Sequence, residues 1–223
     1  MINKVCIYGV GAVGGFVGTL LAKAGCEVSA VARGATLTAL QTDGLRLQIG
    51  EESIAESAIA SDKPEGPGIH VLIVIAVKAQ SMVEVAQKLA PLIGPKTIVL
   101  TAMNGVPWWF FHGTKGECAE LQLDSVDPGG KISAAISADK VVGAVVHGSF
   151  VSNGLGFARN IFGKKLIIGE PNGSDSKRLQ ALAELLSRAG MEIETSPAIQ
   201  REIWYPLWGN MTMNPVSALT GAT

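Results

Sequence analysis

One run near the amino terminus has residue types and spacing that could do chemistry: Gly9-Val10-Gly11-Ala12-Val13-Gly14, a G-x-G-x-x-G pattern. A short β-rich stretch, Lys4 to Tyr8, precedes it, and a helical pattern opens at Gly14. In that setting Gly9 permits a tight turn, Gly11 lets the backbone approach a pyrophosphate, and Gly14 lets helix and strand pack closely. Val10, Ala12 and Val13 complete the loop, and the helix N-terminus that follows favours negative charge. The expected ligand is a dinucleotide. Its type depends on the second strand, Glu27 to Ala32, which is followed by Arg33. A carboxylate there would bind the ribose 2′-hydroxyl and repel a 2′-phosphate, whereas a guanidinium holds the phosphate in a fork. The expectation is NADPH or NADP rather than NADH.

Other candidates stand further along. Lys78 follows a central apolar strand and Asn104-Gly105 follows the next, both at C-terminal strand ends, where ligands sit in open α/β sheets. Asn210 and Asn214 lie four apart on a helical stretch that carries Ile199, Ile203 and Leu207 at the same period. They are either amides that face a ligand or core amides bonded to backbone. Trp108, Trp109, Phe110 and Phe111 form an aromatic row, read either as a buried anchor or subunit contact, which would give a homodimer, or as a substrate-side wall. The histidines, His70, His112 and His147, have no metal-ligand spacing, and only His147, closing a strand, is a candidate acid. Cys6, Cys26 and Cys118 fit no metal or redox motif, and Cys6 reads as a small hydrophobe in a buried strand. A reducing cytoplasm is the expected compartment.

The elements that must position these residues alternate. After the first β-α-β unit, of about 30 residues, Leu45, Leu47 and Ile49 suggest a half-buried strand, and Val71 to Val77 a central one. Ser81 is placed as the cap of a helix carrying Val85, Leu89 and Leu92, and Thr97 to Ala102 as another strand. Pro107 to Lys131 looks irregular. Val141 to Phe150 reads as a strand, and Phe157 to Phe162 with Lys165 to Ile168 as a hairpin turned at Gly163-Lys164. Ser174 or Asp175 caps an amphipathic helix ending at Gly190, and Glu192 to Thr195 is a last strand. Strands alternating with helices imply an α/β, Rossmann-type, doubly wound and mostly parallel sheet.

The bulk properties agree. Of 223 residues, 48% are hydrophobic and 17% charged, which supports a sizeable core. A net charge of -1 gives no electrostatic case for nucleic acid. Mean hydropathy is +0.33, yet the longest strongly apolar run, Val71 to Val77, is far too short to span a membrane.

With these marks in hand, the chain resembles the ketopantoate reductase (2-dehydropantoate 2-reductase) family from end to end. The glycine motif, Arg33, Val77-Lys78-Ala79, Asn104-Gly105-Val106, the strand through His147, Ile168-Gly169-Glu170, and Trp204 followed by Asn210-x-x-x-Asn214-Pro215 carry the resemblance. It implies NADPH-dependent reduction of 2-dehydropantoate to pantoate, on the route to pantothenate and coenzyme A. It implies that Arg33 holds the 2′-phosphate, that Lys78 and Asn104 lie along the cofactor, and that Ser149 passes near the nicotinamide side. Asn104, Asn210 and Asn214 would face the keto acid.

Two departures qualify it. The family carries a catalytic lysine two residues after the tryptophan that matches Trp204, and here that position is Pro206. Proline has no proton to give and no charge to stabilise a forming alkoxide. No catalytic residue is therefore assigned, and a reductase of another 2-keto acid or a silent NADPH-binding protein stand as alternatives. The second departure is length. Residues 1–196 read as the NADP-binding domain and 197–223 as the first helix of a C-terminal helical substrate domain whose remainder is absent. Within that stretch, Ala198 to Leu219, Pro206 is expected to impose a kink or to start a second helix.

Overall fold

The computed structural model describes residues 2–64 and 68–221, without the side chain of Asn214. Lys4–Tyr8 (β1), Glu27–Val31 (β2), His70–Ile75 (β6) and Ile93–Ala102 (β7) are parallel neighbours at the centre of one sheet. Leu45–Ile49 (β3), Glu52–Glu56 (β4), Ile59–Ser61 (β5), Val141–Ser152 (β8), Phe157–Gly169 (β9) and Glu192–Thr195 (β10) extend it. The order is β4-β3-β9-β8-β7-β6-β1-β2-β5, with β10 also paired to β9. Only β8 with β9 and β3 with β4 run antiparallel. Connections leave β1 towards β2 on one side and β6 on the other, which places a topological switch point between β1 and β6.

Strand alternation divides the core into two layers. Val5 and Ile7 of β1, Leu72 and Val74 of β6, and Ile98 and Leu100 of β7 face one side. They meet Ala12–Lys23 (α1) and Lys177–Arg188 (α5) there. Cys6, Tyr8, Ile73, Ile75 and Val99 face the other, under Met82–Lys88 (α3), Lys131–Ala135 (α4) and the start of Ile199–Thr220 (α6). Both faces of the central strands are covered, which is why they read as unbroken apolar runs. Burial pushes the Cys6 thiol up to about 12, so it packs as a small neutral hydrophobe.

Four local expectations are corrected. Phe157–Gly169 is one long bent strand rather than a hairpin. Gly163, at φ +68°, marks the place where its partner on one edge changes from β3 to β10. The true hairpin joins β8 to β9 through residues 153–156, with Asn153 N–H donating to the Phe157 carbonyl at 2.8 Å. Ser176, not Ser174 or Asp175, caps α5, accepting from Leu179 N–H at 3.1 Å. α3 ends at Lys88, so Leu89 and Leu92 are buried in 3-10 turns beyond it, and Ser81 makes no side-chain cap.

The fourth correction concerns α6. It is a single helix with Pro206 and Pro215 inside it, so Pro206 does not start a second helix. Proline at 206 removes one bond to the Glu202 carbonyl, and that stretch lies at the surface, where water can serve the freed carbonyl. Ile199 and Ile203 anchor the first turns in the core, while Trp204, Trp208 and Met211 are exposed. Gly34–Asp43 (α2), β4, β5 and α4 were not foreseen, being short or without a clear period.

The N-terminal end of β8 and the C-terminal end of β9 are tied to α5 by one buried ion pair. The Glu170 carboxylate is 3% exposed and accepts from Arg178 Nε at 2.7 Å and Nη2 at 2.5 Å, and from Ser176 Oγ at 2.5 Å. Arg178 also donates to the Asp139 and Val141 carbonyls. Removing one partner of a buried pair strands the other charge. Arg178→Ala is expected to destabilise the fold by about 3 kcal/mol in urea denaturation at neutral pH, with much of the loss recovered by adding Glu170→Gln. A loss under about 1 kcal/mol would show that the pair behaves as a surface one.

Candidate functional site

The glycine loop closes on itself as its sequence requires. Gly9 adopts φ +96°, a left-handed geometry that favours glycine. A Cβ at Gly14 would lie only 2.0 Å from the Gly9 carbonyl oxygen, far inside contact distance, so α1 can sit this close to the β1 turn only with glycine there. Gly11 is the N-cap of α1, makes no side-chain cap, and has open space where a Cβ would be. The first N–H groups of α1 are thus turned to the cleft without a competing side chain, the arrangement that receives phosphate oxygens.

A trough runs along the C-terminal strand ends from this loop in two directions. One cavity, of about 360 Å³, is lined by Gly9, Val10, Gly11, Arg33, Lys78 and Lys88 among others. The second, of about 860 Å³, is lined by Gly11, Ala12, Val13, Lys78, Asn104 and Ser149 among others. Gly11, Ala76, Val77 and Lys78 belong to both, so the trough is continuous across the switch point. The loop residues Gly9 to Val13, Arg33, Lys78, Asn104 and Ser149, distant in sequence, are brought together here, with Gly14 packed beneath them.

Arg33 is the N-cap residue of α2 and mostly exposed. Its guanidinium forks onto Glu84 at 2.8 and 3.4 Å, and Lys88 holds the same carboxylate at 2.7 Å. The Lys88 and Arg33 contacts hold the Glu84 carboxyl below the usual carboxylate range. Exposed pairs of this kind are weak, so a phosphate can take the place of Glu84 on the fork. The sequence reading missed Lys88 and Glu84. Their signal was the Glu-to-Lys spacing of four on α3.

The remaining candidates fall differently. Asn210 is exposed on α6, and the side chain of Asn214 lies outside the described residues. Ile203, one turn before Pro206, is buried beside the cleft. Val146, Gly148 and Ser149 line the trough whereas His147 does not, because strand alternation turns it to the opposite face. Trp108 and Trp109 are buried anchors and also wall a separate cavity. Among the described residues no group of histidines, cysteines and carboxylates could hold a metal ion. No helix among them is long and apolar enough to cross a membrane.

Comparison with known proteins is consistent with this geometry. Residues 5–108 match the family model described as ketopantoate reductase PanE/ApbA. The chain is 44% identical to a 2-dehydropantoate 2-reductase of Mesorhizobium japonicum, over 99% of this chain and 68% of the relative. It is 29% identical to the Archaeoglobus fulgidus enzyme of the same name, over 98% of this chain and 64% of that protein. A solved structure of a candidate ketopantoate reductase from Ralstonia solanacearum MolK2 superposes with a TM-score of 0.96 at 48% identity, covering 100% of this chain and 69% of that one. The chain thus spans about two thirds of the length of these relatives. With that likeness over the β1–β6 trough and beyond, the chain belongs to the ketopantoate reductase family of NADP-dependent oxidoreductases.

Proposed function

We propose that this protein reduces a 2-keto acid with NADPH, in the manner of relatives named 2-dehydropantoate 2-reductase, in a reducing cytoplasm. One observation carries the reading: a continuous trough joins an uncapped helix N-terminus and two cations, Arg33 and Lys88, to an amide-bearing end at Asn104. NADPH supplies a hydride when bound. The protein's own part is to bind and orient. The N–H groups of α1 receive the pyrophosphate, Arg33 and Lys88 the 2′-phosphate, and Lys78 spans the middle. Ser149 borders the nicotinamide half. Asn104 and Asn210 donate hydrogen bonds to the keto acid, the latter from α6, and we assign residues 1–196 to an NADP-binding domain and the stretch from 197 onward to a substrate domain.

Pro206 removes the ammonium that would meet the keto oxygen. Lys78 is the one cation among residues lining the wider half of the trough, and it is committed to the phosphates in this reading. Weak turnover follows, and binding without turnover is the reading this position favours if none is found.

Two outcomes test the assignment. NADPH is expected to bind more tightly than NADH, with Arg33→Ala costing NADPH about 1.5–3 kcal/mol and leaving NADH unchanged in a nicotinamide-fluorescence titration. Glu84→Gln should strengthen NADPH binding by freeing the fork. Equal affinity for both cofactors in the parent chain would sink the phosphate assignment. For the second, Pro206→Lys places an ammonium on a helix that already runs unbroken through 206. It is expected to raise 2-dehydropantoate reduction by on the order of 10²–10⁴ with NADPH affinity nearly unaltered. A lysine variant as slow as its parent would rule that position out as the missing acid.

A further inference from the structure

The C-terminal end of α1, opposite the end that opens on the trough, borders a notch in the sheet. β3 pairs with one edge of β9 as far as Asn160, and β10 takes over that edge from Lys165. Residues 161–164 therefore have no strand beside them there. A cavity of about 430 Å³ opens at this gap. Leu20, Ile49 and Ile54 give it apolar walls, and Lys23, Lys164, Arg188 and Glu52 bring charge to it.

The charges do not balance. Lys23 pairs with Glu52 at 2.6 Å. Lys164 and Arg188 form no ion pair and donate no side-chain hydrogen bond among the described residues. Lys23 and Arg188 stand in the last turns of α1 and α5, where a base can serve the free carbonyls of a helix end. Here the backbone already serves those carbonyls. The N–H groups of Ala24, Gly25 and Cys26 donate to Leu20, Ala22 and Leu21 at 3.0, 2.9 and 3.0 Å. Those of Ala189, Gly190 and Met191 donate to Leu185, Ser187 and Leu186 at 3.0, 2.9 and 3.2 Å. The two helix ends still oppose an anion through their dipoles, together by about one negative charge at most. Lys164 and Arg188 carry two whole positive charges, so the notch remains positive.

We propose that this notch is a second ligand site, separate from the trough, for a small molecule with one oxyanion on a short apolar body. The Arg188 guanidinium forks onto two oxygens and the Lys164 ammonium adds a point charge. The apolar body lies on Leu20, Ile49 and Ile54. The volume corresponds to roughly fourteen waters at about 30 Å³ each, room for a short branched chain. No aromatic side chain lines the cavity, so a nucleobase would find no ring to stack on. A phosphomonoester and a carboxylic acid share the required chemistry.

The test is isothermal titration calorimetry on the full chain without NADPH, using isobutyl phosphate, 4-methylpentanoate and inorganic phosphate as probes. At least one of the two organic probes should bind about tenfold more tightly than inorganic phosphate, because only these bury hydrocarbon. Binding of both assigns the site to oxyanions in general, and binding of one identifies its source as phosphate or carboxylate. The double variant Lys164→Gln, Arg188→Gln should weaken the organic probe about tenfold or more. The double variant Arg33→Ala, Lys88→Ala, which strips the trough of cations, should leave it unchanged. Melting curves confirm that both variants fold. No saturable binding below about 10 mM, inorganic phosphate bound as tightly as the organic probes, or an affinity that follows Arg33 and Lys88 instead would overturn the site. With no cofactor or turnover in the assay, the result is independent of the reductase reading.

Discussion

The missing side chain at Gly14 sets how closely α1 approaches the turn after β1, and the cleft depends on that approach. Any Cβ there would strike the Gly9 carbonyl oxygen. With α1 held so near, its uncapped N-terminus opens directly onto the switch point between β1 and β6. The strand ends on either side then become walls of one trough. A helix displaced by even an ångström would turn its dipole and N–H groups away from the place where a pyrophosphate can lie.

Charge along that trough is uneven, and the unevenness orders the site. Arg33, Lys88 and Lys78 stand at one end and in the middle, with Glu84 as an exchangeable counter-ion for the first two. At the far end the trough meets neutral amides and then a cavity of indole, methionine and aliphatic surface. A ligand anionic at one end and apolar at the other would be held in one direction only. Two kinds of surface are combined: screened, exchangeable ion pairs at one end and largely apolar walls at the other.

α6 joins both halves. Its first turns contribute Ile199 and Ile203 to the core beneath the cavity, and its later turns carry Pro206 and Asn210 outward. That the helix runs through Pro206 shows how little one lost hydrogen bond matters where solvent can replace it. The same substitution in a buried helix would leave the Glu202 carbonyl unserved. Position 206 is thus one where the backbone tolerates proline.

The local character of most elements was legible in the residue order. The central strands read as continuous apolar runs because both their faces are buried, and the glycine loop read correctly because steric demands on glycine act within six residues. Arg33 could be placed beside the loop for the same reason: only Ala32 separates it from β2. What failed were features decided by partners far along the chain. The bend in β9 arises because β3 and β10 share one of its edges, and nothing within 157–169 announces that. The pairing of Glu84 with Arg33 spans 51 residues, and the cavity beside the trough draws its walls from Thr101, Trp108 and Trp109 and from α3, α4 and α6. From sequence the tryptophan row could equally be an anchor or a substrate wall. Only the packing of the second core layer made it a buried anchor that also borders a cavity, since hydrophobic burial is non-directional and a pocket exists only where several surfaces fail to close.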